Sequence, residues 1–78
     1  MKIQTTPDMM GELTDWFGTD FKIEKQTDEY IIVRLKCNYS ALRYWALQFG
    51  PYVEILKPDN LRNQLRADAK ALWEKYKE

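Results

Sequence analysis

Histidine is absent from this 78-residue sequence, and cysteine occurs once, as Cys37. The first absence removes the commonest metal ligand and the usual general base at neutral pH. The second excludes a disulfide within the chain and fits a cytoplasmic setting. Charge of one sign is missing too: 12 Lys and Arg balance 12 Asp and Glu, for a formal net charge of +0. A neutral chain gains little from general attraction to phosphate backbones, so it is a poor candidate for gripping duplex DNA alone. The zero sum says nothing, however, about how the charges are distributed. No apolar run approaches bilayer-spanning length, and the opening MKIQTTPDMM lacks the apolar stretch of a secretory signal, so no membrane partner is expected. Also missing are a Gly-rich phosphate loop, a paired-cysteine motif and a metal-ligand spacing. With no histidine either, the chain is expected not to be an enzyme and to carry no cofactor and no metal.

What is present is the material for one modest core. Apolar residues make up 45% of the chain, and residues 1–78 are read as a single domain, too short for two. Lys2 to Thr5 reads as a short strand. Thr6 resembles an N-cap with Pro7 at the first helical position, and Met9, Met10, Leu13, Trp16 and Phe17 follow at helical spacing. Gly18 is placed to end that helix. Phe21 to Lys25 alternates as a half-buried strand, and the polar stretch Gln26 to Glu29 suits a hairpin. Tyr30 to Cys37 is a second strand of that hairpin, rich in β-branched residues, with Ile31, Val33, Leu35 and Cys37 on one face.

Asn38 or Ser40 caps a second helix whose stripe is Leu42, Trp45, Ala46 and Phe49. Gly50-Pro51 is expected to stop it, the glycine by taking a left-handed backbone and the proline because it cannot continue a helix. Tyr52 to Leu56 forms another strand with Val53 and Ile55 inward. Pro58-Asp59 opens a last helix with Leu61, Leu65, Ala69, Leu72 and Tyr76 along one side and Trp73 adjacent. The fold class is therefore α+β: a ferredoxin-like βαββαβ sandwich with an additional C-terminal helix. The extra helix has three places to bury its stripe: across the open sheet face, at the domain edge, or on a partner.

The run Tyr44-Trp45-Ala46-Leu47-Gln48-Phe49-Gly50-Pro51-Tyr52-Val53-Glu54-Ile55-Leu56-Lys57-Pro58, followed by Leu61-Arg62, resembles the C-terminal extension (WCX domain) that follows WYL domains in helix-turn-helix transcriptional regulators. The likeness covers roughly Asn38 to Tyr76, and the first half agrees in element order alone. The resemblance implies a bacterial regulator, a homodimer through its parent protein, in which DNA is contacted by an N-terminal helix-turn-helix domain. It also implies a WYL domain that senses an effector, a small molecule or a nucleic acid, and an extension that helps dimerise and lines a regulatory pocket. This chain carries neither the helix-turn-helix nor the Trp-Tyr-Leu motif, so it reads as a fragment of such a regulator. Two rival readings remain: a stand-alone ACT-like small-molecule sensor, and a single-stranded nucleic-acid-binding module.

Three sets of residues invite a functional reading. On the outward sheet face, Tyr30, Ile32 and Arg34 face toward Tyr52 and Glu54. Tyr and Arg anchor binding surfaces, so Tyr30, Ile32, Arg34 and Tyr52 are candidates for a ligand site or interface unless the last helix covers them. The RRM-type RNA signature is absent around Ile31 to Leu35. On the last helix, Arg62, Arg66 and Lys70 at steps of four form a basic ridge, which with acidic residues interspersed is also what a solvated face looks like. Trp16, Trp45 and Trp73 fall on or beside apolar stripes and are assigned to core packing. Cys37 is assigned to the core as well, not to catalysis.

Overall fold

The computed structural model describes residues 1–77, and among them lie four strands and three helices in the order anticipated from the sequence. β1 (Lys2–Thr5) leads through a 3₁₀ turn (Pro7–Met9) into α1 (Met10–Phe17). β2 (Phe21–Gln26) and β3 (Ile31–Leu35) form a hairpin, followed by α2 (Tyr39–Gln48). A second 3₁₀ turn (Gly50–Tyr52) precedes β4 (Val53–Lys57), and α3 (Asp59–Tyr76) comes last. The strands make one antiparallel sheet in the order β2-β3-β1-β4. This is the ferredoxin-like plan with an added helix.

Alternation along the strands sets the core. Ile3 lies opposite Val33 of β3 and Ile55 of β4, and Thr5 lies opposite Ile31 and Val53. These inward side chains meet Leu13 of α1 and Leu42, Trp45 and Ala46 of α2. Thr5 is the one polar residue buried in this set, and its hydroxyl donates to the Tyr52 carbonyl at 2.6 Å. Trp45 is fully buried between two rings, edge-on to Phe17 at 5.6 Å and tilted against Phe49 at 5.5 Å. Its indole N–H is buried with no hydrogen-bond partner among the described residues. Packing of the rings, not a polar contact, therefore fixes this side chain.

Local chemistry accounts for the element ends. Asn38 caps α2, its side-chain oxygen accepting from the Ala41 N–H at 3.1 Å. Gly18 ends α1 at a φ of 68°, a region that disfavours residues with a Cβ. Thr27 shapes the hairpin turn: its hydroxyl accepts from the N–H groups of Glu29 and Tyr30, and its own N–H reaches the Tyr30 carbonyl at 2.8 Å.

Four expectations are corrected. Gly50 does not take a left-handed backbone; Gly18 alone has positive φ among the described residues, and Gly50-Pro51 instead opens a 3₁₀ turn. Thr6 precedes the first turn in an extended conformation but makes no side-chain cap bond. β3 is shorter than Tyr30 to Cys37, because the chain leaves the sheet after Leu35 to reach the Asn38 cap. Trp16 and Trp73 are not core residues: they are 49% and 63% exposed. α1 is only 8 residues long, and Leu13 takes its one fully buried position, leaving Trp16 at the flank.

The exposure of Trp73 follows from where α3 docks. Leu61 is fully buried and Leu65 packs against the core, so the first half of α3 lies along β4 and beside α2. It does not cross the open sheet face. An 18-residue helix runs about 27 Å, whereas a five-residue strand such as β4 covers about 17 Å. The distal half outruns the sheet, and every residue from Ala69 to Tyr76 is exposed.

A two-pronged ion pair ties α3 to α2. Arg43 donates through Nε and Nη2 to the two carboxylate oxygens of Asp68, both at 2.8 Å, and Gln64 adds a third bond at 3.1 Å. Arg43, with help from Gln64, holds the Asp68 carboxyl below the usual carboxylate range despite partial burial. A carboxyl lowered in the folded state contributes its stability above the unfolded pKa and loses it as pH falls through the folded one. Asp68→Asn is therefore expected to lower the melting temperature at neutral pH, with the deficit shrinking as pH falls below about 4. A deficit of equal size at pH 6 and pH 2, read by thermal melts at both, would show that the ionised carboxylate is not what Asn lacks.

Candidate functional site

The sheet face opposite α1 and α2 is uncovered, and its side chains fall into three zones along the strands. At one end, Tyr30 and Tyr52 line a common cleft of about 350 Å³ with Gln4, Thr6 and Glu54. Tyr30 precedes β3, Tyr52 precedes β4, and β1 runs between those strands. The Lys25 ammonium lies 5.5 Å from the centre of the Tyr30 ring, a cation–π contact that steadies the aromatic side of the cleft. In the middle zone, half-buried Ile32 lies in register with Gln4 on one side and Lys25 on the other.

At the far end stands Arg34, well separated from the tyrosines. Four residue steps separate it from Tyr30, about 13 Å at the usual rise. Its Nε donates to Glu24 at 2.7 Å, and Lys2 binds the other oxygen of the same carboxylate at 3.0 Å. Glu24, at the register shift of β2 between Ile23 and Lys25, thus bridges Arg34 of β3 and Lys2 of β1. Lys2 first, and then Arg34, keep the Glu24 carboxyl below its ordinary pKa. The four candidates of the sheet face thus share one face but not one site: Tyr30 and Tyr52 come together, Ile32 lies between the zones, and Arg34 belongs to a charged end.

The basic residues of α3 take three different situations. Arg62 is engaged, its Nη1 donating at 2.8 Å to both Glu54 and the Ile55 carbonyl. It thereby covers part of the free edge of β4, a strand edge that would otherwise present unpaired backbone groups. Arg66 rims a groove between α2, β4 and α3, and Lys70 is exposed on the projecting half of the helix.

That groove has a volume of about 340 Å³ and walls that include Leu47, Val53, Ile55, Leu65, Ala69 and Leu72. It opens onto exposed Leu72, Trp73 and Tyr76 of the projecting helix. The periodic stripe of α3 was visible in the sequence. Its exposure was not, although the helix length against the strand lengths is a signal that points to it. Cys37 packs against the core beyond β3, its Sγ 3.7 Å from the Met1 sulfur. Burial pushes its thiol pKa up, which disfavours the nucleophilic thiolate. Among the described residues no helix is long and apolar enough to cross a membrane.

These features define a ferredoxin-like sandwich with a docked but overhanging C-terminal helix. The WCX domain family model matches residues 1–73, and the chain belongs to that family. The match extends through the first half of the chain, beyond the Asn38 to Tyr76 segment that carries the visible motif. No curated protein and no solved structure matches the chain.

Proposed function

We propose that this chain is the C-terminal regulatory domain of a bacterial WYL-type transcription regulator, a non-enzymatic cytoplasmic module that contributes a self-association surface. Membership of the WCX family supports the placement in such a regulator. DNA contact falls to a helix-turn-helix domain elsewhere in the parent protein, and effector response to a signal passed between its domains.

One observation carries the self-association reading. Leu72, Trp73 and Tyr76 are 45%, 63% and 80% exposed on one stretch of helix, continuous with an apolar groove on the same domain. A two-fold contact uses the same patch on both copies. Leu72 lies both on the exposed stripe and in the groove wall, so a second α3 laid antiparallel can seat its stripe against the apolar walls of the groove, with Arg62 and Arg66 at the margin. Large apolar residues grouped this way mark interaction sites more often than scattered ones do.

Sedimentation equilibrium tests the reading. The 78-residue chain is expected to self-associate with rising concentration, and Leu72→Glu/Trp73→Glu is expected to remain monomeric with an unchanged circular dichroism spectrum. Neither residue supports the fold, so lost association cannot be ascribed to unfolding. A wild-type chain that stays monomeric at millimolar concentration would remove the proposal. If Ile32→Ala/Arg34→Ala breaks the dimer and the α3 variant does not, the contact runs through the open sheet face instead.

A further inference from the structure

The strand register brings four cations into one line. Lys22 of β2 lies directly opposite Arg34 of β3, Arg34 opposite Lys2 of β1, and Lys2 opposite Lys57 of β4. The line crosses the whole sheet at the charged end of its open face. Neighbouring strands lie about 4.8 Å apart, so four strands place these cations over about 14 Å. Like charges directly opposite each other across strands are destabilising. In a chain with zero formal net charge, an unbroken row of them is a local excess and not a reflection of composition.

The carboxylates nearby do not cancel the row. Glu24 is shared between Lys2 and Arg34, and Asp59 pairs with Lys57 at 3.0 Å in an exposed position. Lys22 has no ion-pair partner among the described residues. Arg34 gives only its Nε to Glu24, leaving its Nη donors, and its side chain is 63% exposed. Lys2, Arg34 and Lys57, with Met1, also line one cleft of about 300 Å³, so their free donors converge on a shared volume.

We propose that this row is a binding site for a ligand carrying linked phosphate groups, its chain of oxyanions laid across the strands. A linear row of charge suits a linear polyanion better than a single carboxylate or a compact anion, which would meet only one or two of the four cations. Arginine contributes fixed paired donors for phosphate oxygens, and the lysines contribute point charges. The site is independent of the α3 surface: it lies on the opposite side of the sheet from α2 and shares no residue with the groove.

The test is binding of two probes to the 78-residue chain at low salt: tripolyphosphate by calorimetry, and a fluorescein-labelled dT hexamer by anisotropy. At least one is expected to bind, and Arg34→Gln/Lys57→Gln is expected to weaken that binding tenfold or more. For the hexamer, affinity is expected to fall with salt, with a log–log slope of about −0.7 for each phosphate contacted, and the double variant is expected to flatten it. Arg66→Gln/Lys70→Gln on α3 serves as the charge-matched control and is expected to bind as the wild type does. Binding of tripolyphosphate alone identifies a free oligophosphate ligand, whereas binding of the hexamer identifies a phosphodiester strand; both outcomes support the site. Failure of both probes at low salt overturns it. Equal weakening by the row variant and the α3 control also overturns it, because binding would then follow net charge alone. Both altered side chains of the row are largely exposed, and a matching circular dichroism spectrum checks that the variant is folded.

Discussion

Replacing Trp45 with alanine is expected to destabilise the domain by about 3–5 kcal/mol, the range for removing a large aromatic side chain from a core. A chain of this size has about 4–12 kcal/mol of total stability at the usual value per residue, so the variant should be marginal or unfolded at room temperature. Trp45 is fully buried, and it joins α1 to α2 through Phe17 and Phe49. Its loss opens a void where three elements meet. Its indole N–H has no partner among the described residues, so alanine also removes a buried unsatisfied donor, which offsets part of the loss. Trp45→Phe separates the two effects: it keeps a ring, discards the orphan donor, and is expected to cost well under half as much. Trp73→Ala, on the exposed helix end, is expected to stay within about 0.5 kcal/mol of wild type. Urea unfolding followed by far-ultraviolet circular dichroism gives all three midpoints. Similar shifts for Trp45→Ala and Trp73→Ala would contradict the burial difference on which this prediction rests.

The three tryptophans also show what the sequence reveals and what it withholds. All three lie on or beside apolar stripes of helical period, and periodicity alone assigns all three to the core. Trp45 belongs there because α2 lies with its whole stripe against the sheet. Trp16 and Trp73 do not, because α1 is short and α3 is long relative to the surface each covers. Stripe and period are local properties, whereas helix length against sheet width is a tertiary one. The strand alternation was legible for the same reason that Trp45 was: Ile3, Ile31, Val33 and Ile55 each face a core on one side only, and a period of two records that directly.

The candidate site divides along the same line. Tyr30, Ile32 and Arg34 were readable as one face because they share a strand. That Tyr52 joins Tyr30 but not Arg34 depends on which end of β4 lies beside which end of β1. The cationic row was out of reach for a stronger reason. Its members stand at positions 2, 22, 34 and 57, and nothing in their spacing links them. Only pairing of all four strands, with register shifts at Lys2/Ile3 and Ile23/Lys25, brings them into line. A formal net charge of +0 concealed it further, since the two carboxylates paired with the row, Glu24 and Asp59, offset only part of its four charges.

Leu61→Ala is expected to release α3 at a cost of about 2–5 kcal/mol. Leu61 is the one fully buried residue of that helix, inserted into the main core beside β4. The remaining attachments are the half-buried Leu65, the Arg62 bonds to Glu54 and the Ile55 carbonyl, and the Arg43–Asp68 pair. Partly exposed ion pairs add little on their own and are most effective where packing already fixes their geometry. Without Leu61 the helix keeps no deep anchor, and a detached helix of this length is marginal in water. The variant should therefore lose helical signal as well as stability. Hydrogen exchange should speed up first in α3, while the central strands β1 and β3 keep the greater protection. Leu65→Ala should produce a smaller effect, and Leu72→Ala, beyond the docked half, almost none. Because the exposed stripe is carried on the docked helix, Leu61→Ala should also abolish the proposed self-association, without altering any residue of that surface. The cationic row lies in the sheet and on its open face, so phosphate binding should survive wherever the sheet does. If Leu61→Ala costs no more than Leu72→Ala, α3 is held by its surface ion pairs and not by its buried leucine, and both the docking described here and its link to self-association fail.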